Sequence, residues 1–333
     1  MNTMKLLITG GLGFIGSNFI RYIMSTHPDF HIVNIDKIGV GANPQNLKDL
    51  ETRETYRFIR DDLLNTTLLE KVMEDVDVVI NFAAETHVDR SIVNPKPFIE
   101  SNIIGTFNLL ETERKIGKPI RHIQVSTDET YGEIVDSSFK EEDRLKPSNP
   151  YSASKAAADM LCHAYHRTYG MDIIITRCTN NFGPYQFPEK LIPKTIIRAL
   201  TNQPIPIYGT GKNVRDWIYV LDHCEAIETV RRKGKPGETY NISSGNELTN
   251  LEVVKEILNI LEKPETLITF VQDRPGHDFR YSLDSSKIKR ELGWKPKHDF
   301  KSSLQKTVEW YVENDWWWKP LINIKTHRTV QTN

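Results

Sequence analysis

Thr127, Asp128 and Glu129 stand directly after the apolar run Ile123-Gln124-Val125, and Tyr151 and Lys155 follow in the next helical stretch. Tyr151 and Lys155 are four apart, so a helix puts them on one face, where an ammonium beside a phenol favours the phenolate. A tyrosine tuned in this way takes a proton from a hydroxyl while hydride leaves the same carbon. The Thr127 hydroxyl can hold the same oxygen. Asp128 and Glu129 come at the carboxyl end of a strand, where open α/β sheets bind ligands, and two carboxyls there serve as an acid and a base. The combination predicts a dehydration coupled to hydride transfer. A Tyr-x-x-x-Lys pair by itself is more often an ordinary helix surface, and the adjacent acids are what shift the reading.

These groups need a scaffold that gathers a strand end, a helix and a cofactor at one edge. Lys5 to Thr9 reads as a buried strand running into Gly10-Gly11-Leu12-Gly13-Phe14-Ile15-Gly16, and Ser17 to Met24 carries helical periodicity. Gly10, Gly13 and Gly16 permit a tight turn, close approach of a pyrophosphate and packing of helix on strand, with the anion at the helix amino terminus beside Phe14 and Ile15. His31 to Ile35 reads as a second strand ending at Asp36, whose carboxylate accepts both adenosine ribose hydroxyls and repels a 2′-phosphate. NAD is expected ahead of NADP, although the neighbouring Lys37 leaves a 2′-phosphate tolerable. Asp62 and Leu63, after the strand Tyr56 to Ile59, are placed to bracket the adenine. Val76 to Ala84 reads as another buried strand, whose small Ala83 and Ala84 let a cofactor lie close. Ile99 to Thr112 and Ser152 to Tyr169 read as amphipathic helices that cover the sheet or pair across a homodimer.

The alternation of strands and helices implies an α/β fold, a Rossmann-like doubly wound parallel sheet. Proline-rich stretches at Phe182 to Pro193 and Pro204 to Pro206 break the alternation. They mark residues 1–180 as a cofactor domain and 181–325 as a smaller carboxyl-terminal substrate-binding domain with some segments returning to the first. Residues 326–333 read as a polar tail. Glu309 to Trp318 reads as a terminal amphipathic helix that docks its rings rather than offering Trp316-Trp317-Trp318 as a stacking platform.

The chain has 333 residues, and 43 basic against 44 acidic ones leave no field that would point to nucleic acid or a membrane surface. Cys162, Cys178 and Cys224 are odd in number and far apart, giving neither a disulfide framework nor metal-ligand spacing, so no metal is expected and the cytoplasm is the natural setting. The first apolar run is too short for a signal-peptide core, and no later stretch is long enough to span a bilayer.

Taken together, the motifs resemble the extended short-chain dehydrogenase/reductase family, and within it the dTDP-glucose 4,6-dehydratases of deoxysugar synthesis. The likeness covers almost the whole chain. Besides the glycine turn it rests on residues 83–91, 127–132, 151–155 and 180–185, and continues through 187–193, 206–209, 215–217 and 274–278. It implies NAD as a cofactor that stays bound and a nucleotide sugar, dTDP-glucose first, as substrate. Tyr151, helped by Lys155 and Thr127, would take the 4-hydroxyl proton, Glu129 the proton at C5, and Asp128 would give one to the departing 6-hydroxyl. Arg215, Arg274 and His277 would lie near the diphosphate. Asn180, Asn181, Lys190, Leu191, Pro206, Tyr208, Asn250 and Tyr281 would hold sugar, pyrophosphate or backbone, and His87 would lie beside the sugar or be bonded only locally. Family members with an epimerase activity share the glycine turn and the Tyr/Lys pair but carry small hydroxyl residues in place of the two acids. A 4-epimerase or a dehydratase of a UDP- or GDP-hexose is the alternative enzyme, and a nucleotide-sugar-binding regulator the alternative without turnover. One stretch departs from the pattern: Ile38-Gly39-Val40-Gly41-Ala42-Asn43 replaces an aromatic-containing loop over the adenosine.

Overall fold

The structure is a computed structural model that describes residues 3–323; the tail expected from 326 lies outside the described residues. Seven parallel strands form the main sheet: β1 (Lys5–Thr9), β2 (His31–Ile35), β3 (Tyr56–Ile59), β4 (Val78–Asn81), β5 (Arg121–Thr127), β6 (Ile173–Cys178) and, far along the chain, Thr239–Ile242. The spatial order places Thr239–Ile242 at one edge, then β6, β5, β4, β1, β2 and β3. Strand order reverses between β1 and β4, and in a doubly wound sheet that switch point opens a crevice at the carboxyl ends of the strands. The strands are near-continuous apolar runs because helices cover both faces. Leu6, Ile8, Ile80 and Ile123 are buried on the face packed by helices Phe14–Thr26 and Val220–Lys233, and Leu7, Val79 and Leu109 on the other.

The second lobe is built on β7 (Asn180–Phe182), β8 (Ile205–Tyr208), β9 (Val214–Tyr219), β11 (Glu247–Thr249) and β12 (Ile268–Val271), while β10 (Thr239–Ile242) is the strand that returns to the main sheet. β11, β9 and β7 make one small sheet and β12 pairs with β8 in another. Its core gathers Phe182, Ile196, Trp217, Val253, Leu304, Tyr311 and Trp317. Among the described residues no helix is long and apolar enough to cross a membrane.

Three elements differ from the sequence expectation. The fourth strand stops at Asn81, because Phe82 to Ala84 leave the sheet to pass over the glycine turn. Ile99 to Thr112 is not one regular helix: Ile99–Ile104 is a π-helical turn, followed by an α-helix over Gly105–Ile116. At the bulge, Asn102 is freed to bind the Glu85 backbone through both ends of its amide, at 2.8 and 3.0 Å, and the Ser154 hydroxyl at 2.8 Å. The terminal aromatic helix is two, Phe300–Glu313 and Asp315–Asn323, broken at Asn314. Trp317 and Trp318 are docked as expected, whereas Trp316 remains 55% exposed.

Candidate active site

The glycine turn is held by close contacts that exclude side chains. A Cβ on Gly10, whose φ is +68°, would meet the Ala83 Cα at 2.7 Å, and one on Gly16 would meet the Gly10 carbonyl oxygen at 2.5 Å. The turn delivers Gly10, Gly13, Phe14, Ile15 and Gly16 to the floor of a cleft that also takes Asp36, Lys37, Asp62, Leu63, Ala83 and Ala84. Asp36 is buried, and each of its carboxylate oxygens accepts one backbone N–H, from Leu12 at 3.0 Å and Ile38 at 2.8 Å. Burial raises its pKa while those two N–H groups and Lys37 oppose the rise. A second lone pair on each oxygen is left for a diol. Lys37 is turned across the cleft, bonded to the Ser101 hydroxyl, with its ammonium 3.6 Å from Asp62 and 3.8 Å from Glu85. Two carboxylates already compete for the one cation that could have welcomed a 2′-phosphate.

The acids sit where β5 ends. Thr127 caps the single turn Asp128–Thr130, accepting from the Glu129 N–H and donating its hydroxyl to Asp128 Oδ1 at 3.0 Å. Asp128 Oδ2 is buried with no hydrogen-bond partner among the described residues. Burial, then the neighbouring Glu129, pushes the Asp128 carboxyl up to about 8, against the pull of Thr127 and Arg215. Glu129 is also raised by burial, but Arg274, Lys190 and Arg215 all work to keep it charged. The two adjacent carboxyls thus sit in different fields: three cations of the second lobe, Arg274, Lys190 and Arg215, oppose the rise at Glu129, whereas Arg215 is the one that does so at Asp128.

Tyr151 and Lys155 lie in the first turns of helix Pro150–Tyr169, which starts with a capping box between Asn149 and Ser152. Tyr151 packs edge-on against Phe98 with ring centroids 6.3 Å apart. Lys155 gives its ammonium to the Val125 carbonyl at 2.6 Å and is lowered by burial. The expected phenolate is not the resting form. Burial, Glu129, Cys178 and Asp128 push the Tyr151 phenol well above its usual value, and the opposing hydrogen bond with Thr127 does not offset them.

Lys190, Asn180 and Asn181 reach the same cleft. Lys190 donates to the Thr86 carbonyl at 3.2 Å, and Asn180 Oδ1 is buried without a partner. The Asn181 amide turns inward, to the Thr179 carbonyl and to His223 Nδ1 at 2.9 Å. His87, Leu191, Pro206, Tyr208, Arg215, Asn250, Arg274, His277 and Tyr281 stand outside the cleft lining. His87 is bonded locally, accepting from the Arg90 N–H at 3.4 Å, and burial pushes it down to about 4. Arg215 lies over the Tyr281 ring at 4.2 Å and gives its Nη groups to the carbonyls of Val214, Asp278 and Phe279. The expected fork toward phosphate is therefore occupied by backbone. Arg274 reaches Asp89 at 3.5 Å and leaves Nε buried and unpaired, His277 holds Asp273 at 2.6 Å, and Tyr281 donates to Asp278 at 2.6 Å. Tyr208 donates to Asp89 at 3.3 Å, Leu191 and Asn250 begin helices, and Pro206 lies in β8. Sequence reading missed Ser126, Cys178, Thr179 and Glu189, all of which line the cleft. Ser126 carried a signal as the neighbour of Thr127 in a strand end, and Glu189 as a member of the 187–193 motif.

A doubly wound sheet with a glycine cradle at its switch point, and a Tyr/Lys helix beside it, defines a dinucleotide-dependent enzyme of the short-chain dehydrogenase/reductase class. The GDP-mannose 4,6 dehydratase family model matches residues 7–307. The chain is 46% identical over 336 aligned positions to the probable dTDP-glucose 4,6-dehydratase of Sinorhizobium fredii, with 96% of this chain and 95% of that protein covered. The crystal structure of DesIV, a dTDP-glucose 4,6-dehydratase from Streptomyces venezuelae solved with NAD bound, superposes with a TM-score of 0.93 at 45% identity, covering 96% of this chain and all of that one. The Bacillus anthracis dTDP-glucose 4,6-dehydratase in complex with NAD gives 0.90 at 46% identity, with the same coverage. The chain belongs to the GDP-mannose 4,6 dehydratase family, in its dTDP-glucose 4,6-dehydratase branch.

Proposed function

We propose that the protein converts dTDP-glucose to dTDP-4-keto-6-deoxyglucose with a retained NAD+, as a step of deoxysugar synthesis. The observation that carries the reading is the unequal pair at the end of β5: Asp128 is pushed up to about 8, Glu129 is raised by burial but drawn back by Arg274, Lys190 and Arg215, and both acids act on Tyr151. The glycine cradle fits a pyrophosphate and Asp36 fits a ribose diol. When bound there, NAD+ would supply a hydride acceptor for C4 and a positive ring charge, and its reduced form would supply the hydride returned to C6. Tyr151 takes the proton of the 4-hydroxyl after its own phenol proton has passed to solvent, a loss that the positive ring charge of bound NAD+ and the Lys155 ammonium on the same helix would favour. Glu129 removes the proton at C5, made acidic by the new 4-keto group, and later returns one. Asp128 accepts from Thr127 through Oδ1, so its proton belongs on the unpartnered Oδ2, free to pass to the 6-hydroxyl as water leaves. Arg274 and Lys190 favour the charged form of Glu129 against the effect of burial. Arg215, Arg274 and His277 are assigned to the nucleotide diphosphate, which would have to draw the Arg215 fork away from backbone and Arg274 away from Asp89.

Exposed Phe107 on helix Gly105–Ile116 and Met160 on helix Pro150–Tyr169 support pairing of these helices in a homodimer. Three free, buried cysteines fit a reducing cytoplasm. The test is incubation with dTDP-glucose and no added NAD. Alkaline absorbance of a 4-keto-6-deoxy sugar and a mass lower by one water support the reading. No product, with NAD supplied, overturns it in favour of UDP- or GDP-hexoses, which are assayed in parallel.

A further inference from the structure

The triple tryptophan has no part in the chemistry above, yet one of its rings is tied to the cofactor cradle. Trp317 is 2% exposed, within a cluster of Tyr185, Trp310 and Tyr311. Its indole N–H leaves that cluster and donates to Asn46 Oδ1 at 2.7 Å, across to the first lobe. Asn46 is fully buried in the 3-10 turn Pro44–Leu50, which follows the loop Gly39 to Ala42 that lines the cleft. Its Nδ2 donates to the Leu12 carbonyl at 2.9 Å, and the same carbonyl accepts the Asn43 N–H at 3.0 Å. On its other side Leu12 donates its own N–H to Asp36. Leu12 lies inside the glycine turn, between Gly10 and Gly13.

An indole N–H is a donor only, so it fixes which end of the Asn46 amide faces it. With the oxygen held by Trp317, the amide must present its NH2 to Leu12. A flipped amide would set donor against donor and acceptor against acceptor. The orientation that braces the glycine turn is thus set by a residue in the last described helix. Arg21 adds to the brace, donating to the Asn46 carbonyl at 3.0 Å while its guanidinium lies 5.1 Å from the Tyr185 ring centroid.

We propose that Trp317 is a positioning residue for dinucleotide retention: through Asn46 it holds Leu12, and hence the glycine turn and Asp36, in the shape that binds the cofactor. This rests on the NAD reading above. It also supplies what the aromatic-free loop over the adenosine lacks, since that loop is anchored from behind by Asn43 and Asn46.

The test compares Trp317→Phe, which keeps a ring and removes the N–H, with Trp318→Phe, whose N–H donates to the Tyr311 carbonyl at 2.8 Å within the same helical pair. NAD per chain after desalting, NAD affinity of the stripped protein, melting temperature, and kcat at saturating NAD are measured for both. Trp317→Phe is expected to retain less NAD and bind it roughly five- to tenfold more weakly, as loss of a buried hydrogen bond would give. Its kcat with excess NAD should stay within about twofold of the parent, since no reacting group is touched. Asn46→Asp, which keeps the acceptor for Trp317 and loses the donor to Leu12, should show the same loss. If Trp317→Phe holds NAD as the parent does, the proposal fails. Equal NAD loss in Trp318→Phe also overturns it, by showing a general effect of helix stability. A parent protein that binds no NAD at all would sink the cofactor reading itself.

Discussion

At the scale of single residues, the decisive feature is that two neighbouring carboxyls titrate differently. An acid raised by burial binds its proton more tightly folded than unfolded, so Asp128 weakens the fold progressively as pH rises from the ordinary carboxylate range toward about 8. Below that range it makes no difference. Asp128→Asn is expected to raise the melting temperature relative to the parent at pH 8, with the gain vanishing near about pH 4, where both states of the parent carry the proton. A gain that stayed constant with pH would contradict the buried neutral acid. The same titration makes kcat fall as pH rises through about 8, because the proton for the 6-hydroxyl is lost. Glu129→Gln should leave substrate binding nearly intact and lower kcat by about two to four orders of magnitude, the range for a positioned proton-transfer group. Isothermal titration with substrate alongside the alkaline product assay separates the two. Full turnover by this variant would remove Glu129 from the chemistry.

At the scale of elements, strand ends and helix starts do the positioning. β5 stops at Thr127, whose hydroxyl caps the turn that carries both acids, and the next helix begins at Pro150 with Tyr151 in its first turn. Asn149 accepts from the Ser152 N–H at 3.0 Å and Ser152 returns the bond at 3.2 Å. Asn149→Ala is expected to cost about 1 kcal/mol of stability in urea unfolding and to lower kcat, because Tyr151 lies inside the frayed turn. An unaltered unfolding midpoint would show that the cap is redundant. Gly16→Ala drives a methyl to 2.5 Å from the Gly10 carbonyl, so the turn must open. The expected result is protein that folds but no longer retains NAD through gel filtration. Retention at the parental level would mean that the turn is not the pyrophosphate cradle.

At the scale of the whole molecule, the cleft is assembled from both lobes: the second contributes Lys190 to its wall and Arg215 and Arg274 to the field on Glu129. The outer faces of helices Gly105–Ile116 and Pro150–Tyr169 leave Phe107 40% and Met160 48% exposed. Light scattering is expected to give twice the chain mass for the parent and a single chain mass for Phe107→Glu combined with Met160→Glu. A parent that runs as a monomer at micromolar concentration would dismiss the pairing.

The glycine turn, Asp36, the acids after β5 and the Tyr/Lys pair were legible from the sequence because each is a local pattern. A strand end, a turn and a four-residue helical spacing are fixed by neighbours in the chain. The first five strands were legible for the same reason, except that the fourth ends at Asn81, before Phe82 to Ala84. What no local pattern holds is the direction of long side chains and the depth of their burial. Arg215 turned to backbone, Asn181 turned to His223, Lys37 claimed by two acids and the Tyr151 phenol driven up all depend on partners far away in sequence. The π-turn at Asn102 and the link from Trp317 to Asn46, 271 residues apart, belong to the same class. The sequence by itself determined which chemical groups line up along the chain and at what spacing. Tertiary structure alone decided their protonation and their partners, because desolvation and long-range hydrogen bonds exist only once the chain is packed.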